Sequence, residues 1–305
     1  MSQFNLLAIL GATASGKTRL AVDLAKQLNG EVISADSRQV YKGLDIGSGK
    51  DLEEYGTIPY HLIDIVEPGY EYNIFDFQGD FIKAFEDITE RNKFPILAGG
   101  SALYVDAVLK DYRLVEVPTN PKLRAELEDK TQPQLADILL SLKPNQHNTT
   151  DLLERERIIR AIEIAKGELD SSNPSHQMPN ITPLIMAIKW SREQSRERIT
   201  YRLKQRFEQG LIDEVETLHK QGVSWDTLYF YGLEYRFIGQ YLQGLINKND
   251  CFQKLNSAIH QFAKKQDTWL RRLERQGQQV HWLDGQQPLL AQAMQVIANQ
   301  NSSTT

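Results

Sequence analysis

Near the start of the chain, Gly11, Ala12, Thr13, Ala14, Ser15, Gly16, Lys17 and Thr18 have the spacing G-x-x-x-x-G-K-[ST] of a phosphate-binding loop. Such a loop turns backbone N–H groups inward around phosphate oxygens, and the helix that starts at its end adds the positive end of its dipole. Lys17 brings a point charge to the phosphates, and the Thr18 hydroxyl suits magnesium ligation. The motif specifies a polyphosphate, and kinases, GTPases, ATPases and transferases that release diphosphate all fit it, so nucleotide binding, ATP-binding included, stays open.

A second cluster, Ser34-Ala-Asp-Ser-Arg-Gln-Val-Tyr41, holds one carboxylate, Asp36. Asp36 can act as a general base or as an acceptor for a substrate N–H or O–H, and a loop aspartate equally serves as a turn or helix cap. Ser101 follows Gly99 and Gly100. Its hydroxyl can meet a diphosphate, although capping of the next helix is the simpler reading. The carboxylate on a strand that a motor ATPase needs is not evident, Asp64 being the nearest candidate.

Basic residues gather at Lys122 and Arg124, at Arg155, Arg157 and Arg160, along residues 189–206, and along residues 264–275. Each group taken singly reads as a solvated helix face with i,i+4 pairs. Taken with a phosphate-binding loop, they can line a track for a nucleic-acid backbone. Trp269, Tyr229, Tyr231 and Tyr235 could stack on bases, but core packing is the simpler role. The histidines have no metal-ligand spacing.

The elements that must position these residues alternate. Apolar runs at 6–10, 31–34, 61–65 and 94–98 read as strands, and periodic segments at 16–28, 75–89 and 101–109 read as helices. Strand and helix in alternation predict an α/β core with a parallel sheet covered on both faces. From about residue 115 the periodicity is helical only, and a polar, proline-containing stretch at 170–182 ends it. A strand at 184–190, long helices at 192–220 and 250–274, and a last strand at 280–283 follow. The expected organisation is a P-loop α/β core at 1–114 and 183–305, with a small all-helical domain inserted at 115–182.

The remaining bounds are broad. The chain has 305 residues, 41% hydrophobic and 25% charged, which is ordinary for a globular protein. A net charge of −5 argues against an all-basic surface but leaves local basic tracks possible. A single cysteine, Cys251, rules out an internal disulfide and a Cys-rich zinc site, and a reducing cytoplasm is the simplest compartment. No apolar run is long enough for a membrane span, and none has the build of a signal peptide. A monomer is adequate for this length, and the polar tail at 299–305 reads as disordered.

The ordered set GATASGKT (11–18), SADSRQVYKGLDIG (34–47), PYHLIDI (59–65), PILAGGSALY (95–104), RIIRAIE (157–163), GLIDEV (210–215) and FAKKQDTW (262–269) resembles the tRNA dimethylallyltransferases, also called tRNA isopentenyltransferases. The resemblance runs from about residue 6 to about residue 283 and implies a P-loop NTPase-like core. It implies transfer of dimethylallyl from dimethylallyl diphosphate to the exocyclic amine of the tRNA adenine 3′-adjacent to the anticodon, a base flipped out to be reached. Magnesium would offset the charge of the departing diphosphate. By the same resemblance, Asp36 accepts the amine proton, Ser101 stands beside the leaving group in place of the usual Thr, and Arg202 points at the diphosphate. Asp36, Ser37, Arg38, Gln39, Arg124, Glu156, Arg157, Ile158, Ile159 and Arg160 fall where the family touches tRNA.

Departures from the family pattern fall at 45–51, Asp-Ile-Gly-Ser-Gly-Lys-Asp in place of a Gly-Thr-Ala-Lys-Pro form, and at 231–236, Tyr-Gly-Leu-Glu-Tyr-Arg in place of a Gly-Tyr-Lys-Glu form. No zinc-finger extension follows the core. Together they suggest a divergent branch. A small-molecule P-loop kinase with Arg155, Arg157 and Arg160 as its lid, a prenyltransferase of free adenine nucleotides, and a non-catalytic RNA-binding module remain the alternatives.

Overall fold

The computed structural model describes residues 4–144, 154–170 and 176–302. Six strands form one all-parallel sheet: β1 (Leu6–Gly11), β2 (Gly30–Ala35), β3 (Tyr60–His61), β4 (Phe94–Gly99), β5 (Pro183–Lys189) and β6 (Val280–Asp284), in the order β3-β2-β4-β1-β5-β6. β1 and β2 are buried along their whole length, β1 as the unbroken apolar run expected in a parallel sheet and β2 with Glu31 and Ser34 buried among apolar neighbours. The third predicted strand is shorter than expected. It ends at His61 because Leu62 and Asp64 take positive φ values of 62° and 57°, which no strand accommodates.

Helices α1 (Lys17–Leu28), α2 (Ile74–Glu90) and α3 (Ala102–Leu109) connect the first strands. α2 starts with a capping box in which the Asn73 side chain accepts from Phe75 and Asp76 N–H groups. The segment predicted as one helix over 192–220 is two, α7 (Arg192–Glu208) and α8 (Leu211–Lys220), because Gly210 has φ 102°. α9 (Trp225–Phe230), α10 (Leu233–Leu242), α11 (Lys248–Arg275) and α12 (Leu289–Ser302) complete this part. α12 replaces most of the tail read as disordered, since Ala293 and Ile297 bury against the sheet core.

The chain divides into two compact units, Met1–Lys110 with Pro179–Thr305, and Asp111–Met178. The larger has a core of β1, β2, β4 and β5 side chains with α1 and α12. The smaller contains α4 (Pro121–Leu127), α5 (Gln132–Leu142) and α6 (Arg155–Asp170), around Leu123, Leu127, Leu135, Leu139, Ile158, Ile159, Ile162 and Ala165. α4 begins as its sequence suggests, with Pro121 in the first turn and the Asn120 side chain accepting from Leu123 N. Residues 145–153 and, within the predicted polar stretch at 170–182, residues 171–175 lie outside the described residues. Among the described residues no helix is long and apolar enough to cross a membrane.

Candidate active site

The phosphate-binding loop leaves β1 at Gly11 and enters α1 at Lys17, with Gly16 at φ 92°. A Cβ on Gly11 would lie 2.5 Å from Ser15 Oγ, so only glycine lets the loop close on itself. The loop is clamped by distant side chains. Gln266 Oε1 accepts from Thr13 N at 2.8 Å while its Nε2 donates to Gly100 O at 3.0 Å. Trp190 Nε1 donates to Ser15 O at 3.0 Å, and Arg198 Nε donates to Ala14 O at 2.9 Å. The Arg198 guanidinium lies 4.1 Å over the Trp190 ring, a cation–π contact that fixes both clamps.

Lys17 Nζ lies 3.5 Å from Ala12 O. Burial, opposed by Asp36 and assisted by Arg202 and Arg206, lowers its pKa to about 8. Those causes identify the neighbours: one carboxylate and two guanidiniums share the field of the P-loop lysine. Arg202 is itself pushed down to about 9, first by burial and then by Arg206, with Glu234 and Asp36 opposing. It remains a cation at neutral pH. Arg206 is 8% exposed and donates to Gly47 O and Glu234 Oε1, both at 3.3 Å. Burial raises the pKa of Glu234.

β2 ends at Ala35, so Asp36 follows directly at the carboxyl edge of the sheet, where open α/β sheets bind ligands. One Asp36 oxygen, Oδ1, accepts from Arg38 N at 3.0 Å, so the turn-forming role is real but uses one oxygen only. Ser101 is the residue before α3, yet its side chain makes no cap bond. Its hydroxyl accepts from Ser37 N at 3.0 Å instead, which ties the β4 edge to the Asp36 turn and corrects the simple capping reading. Gln39 is 7% exposed, with Oε1 accepting from Ser34 Oγ at 2.8 Å and Nε2 donating to Gly49 O at 3.1 Å. Its side chain is engaged at both ends, and Arg38 packs over the Phe230 ring at 5.2 Å.

The two segments that depart from the family pattern face each other. Glu214 accepts from the backbone N–H groups of Asp45 (3.0 Å), Ile46 (2.5 Å) and Gly47 (3.0 Å), and from Tyr235 Oη at 3.0 Å. A Cβ on Gly47 would lie 2.6 Å from the Tyr235 ring, and one on Gly49 only 1.9 Å from an Arg206 nitrogen. Lys50, fully buried, donates to Tyr41 O at 2.8 Å and to Asp45 Oδ1 at 2.6 Å, and pairs with Asp64. Asp64 is therefore the partner of a buried lysine. Asp51, next along, forms an ion pair with Arg202.

In the smaller unit the predicted contact residues are largely engaged within it. Arg124 Nε donates to Glu163 at 2.9 Å, Arg160 reaches the same carboxylate at 3.1 Å and Val117 O at 2.8 Å, and Arg157 pairs with Glu154. Arg155 donates to the last carbonyls of α4, including Leu127 O at 2.9 Å. Glu163 is fully buried at its side chain, and its hydrogen bonds to Arg124, Asn120 and Arg160 outweigh burial and lower its pKa. Ile158 and Ile159, at 0% and 5% exposure, face the unit's own core, which closes direct RNA contact to their side chains. Glu156 and Arg157 remain exposed. Tyr231 and Tyr235 are core residues at 1% exposure each, and Trp269, at 6%, is buried too and donates to Asp106.

Residues given no role by sequence, namely Lys50, Asp51, Arg206, Glu214, Glu234 and Gln266, complete the arrangement. Each lies in a motif or basic run visible in the sequence, but only the fold pairs them. Separately, a cavity of ≈ 310 Å³ beside residues 12–15 is lined by Trp190, Asp267, Arg271 and Trp282 and does not include Asp36 or Arg202.

A phosphate-binding loop at the edge of a parallel sheet, with the charges of an acid and two arginines acting on its lysine, is the arrangement of a P-loop enzyme. A family model described as IPP transferase matches residues 39–273, and one described as isopentenyl transferase matches residues 4–57. The chain belongs to the IPP transferase family. It is 57% identical over 297 residues to a tRNA dimethylallyltransferase 2 of Trichlorobacter lovleyi, covering 97% of each chain. It is 60% identical over 281 residues to a tRNA dimethylallyltransferase 2 of Syntrophotalea carbinolica, covering 92% of this chain and 94% of the relative. The crystal structure of a full-length tRNA isopentenylpyrophosphate transferase from Bacillus halodurans is similar at TM-score 0.72 and 32% identity, over 98% of this chain and 97% of that one.

Proposed function

We propose that this protein transfers a dimethylallyl group from dimethylallyl diphosphate to the exocyclic amine of the tRNA adenine 3′-adjacent to the anticodon, releasing diphosphate. The observation that carries the reading is that the phosphate-binding loop with Lys17, the single carboxylate Asp36 and Ser101 all follow strands at the same carboxyl edge of the sheet, with the charges of Arg202 and Arg206 acting on Lys17. Cations there suit a diphosphate leaving group, and a carboxylate suits the amine that replaces it.

The amine nitrogen attacks C1 of the prenyl group, the C1–O bond to diphosphate breaks, and its electron pair leaves with the diphosphate. The amine proton passes to Asp36, whose Oδ2 has no protein partner among the described residues. Lys17 and Arg202 hold the diphosphate, and the Ser101 hydroxyl, fixed by Ser37 N, stands beside the leaving group. Among the described residues no group of His, Cys, Asp or Glu could cage a metal ion by itself. The Thr18 hydroxyl would be the protein's ligand to a magnesium ion, an oxygen donor of the kind magnesium accepts. When bound, the ion would supply charge neutralisation of the leaving group.

Ser37, Arg38, Arg124, Glu156, Arg157 and Arg160 are the proposed tRNA contacts, with Gln39 acting through the backbone it holds. Arg155 and Arg160 are spent on internal partners, which disfavours their use as a kinase lid. A cytoplasmic monomer is the form in which we expect the protein to act. The test is labelled dimethylallyl diphosphate with magnesium and bulk tRNA, with AMP and adenosine run in parallel. Label is expected in tRNA alone. Label in AMP alone would replace this reading with a nucleotide prenyltransferase.

A further inference from the structure

We infer that Asp51 is a positioning residue that occupies Arg202 while the diphosphate site is empty, yields it to the incoming donor, and returns to speed diphosphate release. The inference rests on the proposed function, because it takes Arg202 to be a diphosphate-binding group.

Asp51 precedes a 3-10 turn, Leu52–Glu54, at the position where an aspartate ordinarily caps, and its side chain makes no cap bond. Its carboxylate goes to the Arg202 guanidinium instead. Its backbone sits at φ 46° and ψ 48°, in the left-handed region, which aspartate and asparagine tolerate better than other side-chain-bearing residues. Both guanidiniums press on the same loop: the Cβ position at Gly49 is 1.9 Å from an Arg206 nitrogen and 3.1 Å from an Arg202 nitrogen. Arg206 already has a carboxylate partner, Glu234. Arg202 has Asp51 as its hydrogen-bonded acid, and the pair is partly open to solvent, with side chains 30% and 37% exposed.

That difference in exposure decides the roles. The Arg206–Glu234 pair, 10% and 19% exposed, is enclosed and serves as a fixed strut. The Arg202–Asp51 pair is accessible, so an anion of higher charge can take the guanidinium from it. Lys17, Arg202 and Arg206 repel one another, so a diphosphate bound to them without a competitor would be slow to leave. A tethered carboxylate that competes for one of them weakens the hold on product without removing a binding group.

Asp51→Asn keeps the shape and the left-handed backbone while removing the charge. The test is titration calorimetry of inorganic pyrophosphate with magnesium, on the full chain, for wild type, Asp51→Asn, Arg202→Gln and the double variant. Donor KM and kcat in the labelled-donor assay are measured beside it. Asp51→Asn is expected to bind pyrophosphate about three- to fivefold more tightly, as removal of a partly exposed competing ion pair implies, with a lower donor KM and no gain in kcat. In the Arg202→Gln background the same change is expected to have no effect. Unchanged or weaker pyrophosphate binding in Asp51→Asn overturns the inference, and weaker binding would make the carboxylate a direct participant on the ligand side. An equal gain in both backgrounds also overturns it, because it would report net charge alone. Wild type that binds no pyrophosphate sinks the proposed function together with the inference, whereas normal wild-type binding with an unresponsive Asp51→Asn sinks only the inference.

Discussion

Two loops meet at the site, and they differ in what forbids a side chain on their glycines. The phosphate-binding loop at 11–18 closes on itself: the atom that forbids a side chain at Gly11 is Ser15 Oγ, four residues away in the same loop. The loop at 45–51 has bonds of its own, Gly49 N to Asp45 O at 3.1 Å and Lys50 Nζ to Asp45 Oδ1 at 2.6 Å, but its glycines are hemmed in by remote side chains. Glu214 gathers its N–H groups, Tyr235 fills the space over Gly47, Arg206 fills the space over Gly49, and Arg202 takes Asp51. A local motif is written in consecutive residues, whereas a remotely held loop is written in pairs. The segments at 45–51 and at 231–236 are packed together, since a Cβ on Gly47 would meet the Tyr235 ring and Arg206 bridges Gly47 to Glu234.

Substitutions can break or sharpen that contrast. Lys17→Ala should cost the most in binding, reducing donor affinity about tenfold or more, measured as donor KM or pyrophosphate Kd. With the folded pKa of Lys17 near 8, the charged form is lost as pH rises through that value, so wild-type donor affinity should fall above about pH 8. Glu214→Ala leaves three loop N–H groups and the Tyr235 hydroxyl without their acceptor, and should cost about 2–3 kcal/mol in denaturant unfolding. Gly47→Ala forces a methyl into the Tyr235 ring and should cost about 2 kcal/mol. Tyr235→Leu in the same chain should recover part of that loss, whereas no distant substitution should rescue Gly11→Ala. Rescue of Gly11→Ala from a distance would erase the contrast.

The smallest effect lies away from both loops. Glu31, 2% exposed, accepts from Arg91 and His61, and the Arg91 hydrogen bond in particular holds its pKa down to about 2. A depressed carboxylate contributes stability that is present above its unfolded pKa of about 4.5 and lost as pH falls through that range toward 2. Glu31→Gln should cost about 1–2 kcal/mol at neutral pH and should flatten the acid limb of the stability curve.

The same contrast governs what the sequence discloses. Gly11 to Thr18, the alternating strands, and Pro121 at a helix start are all local signals, and they are legible without a fold. The break at Gly210 and the end of β3 at Leu62 depend on backbone angles that composition does not announce. Ser101 reads as a cap because caps are what serines before helices do, yet its hydroxyl is claimed by Ser37 across the sheet edge. Ile158 and Ile159 sit in a motif that mixes exposed arginines with core residues, and only packing separates the two. Arg206 and Glu234 become a pair only when α7 and α10 are folded against the 45–51 loop.

The most direct test of the account is transfer of labelled dimethylallyl from its diphosphate to tRNA by wild type and by Asp36→Ala, with tRNA binding and thermal unfolding measured on both. The account predicts label in wild-type tRNA, a loss of about a thousandfold or more in the variant, and tRNA affinity and melting that stay close to wild type. Full transfer by Asp36→Ala would contradict it, because no other carboxylate in this site is proposed to take the proton of the amine.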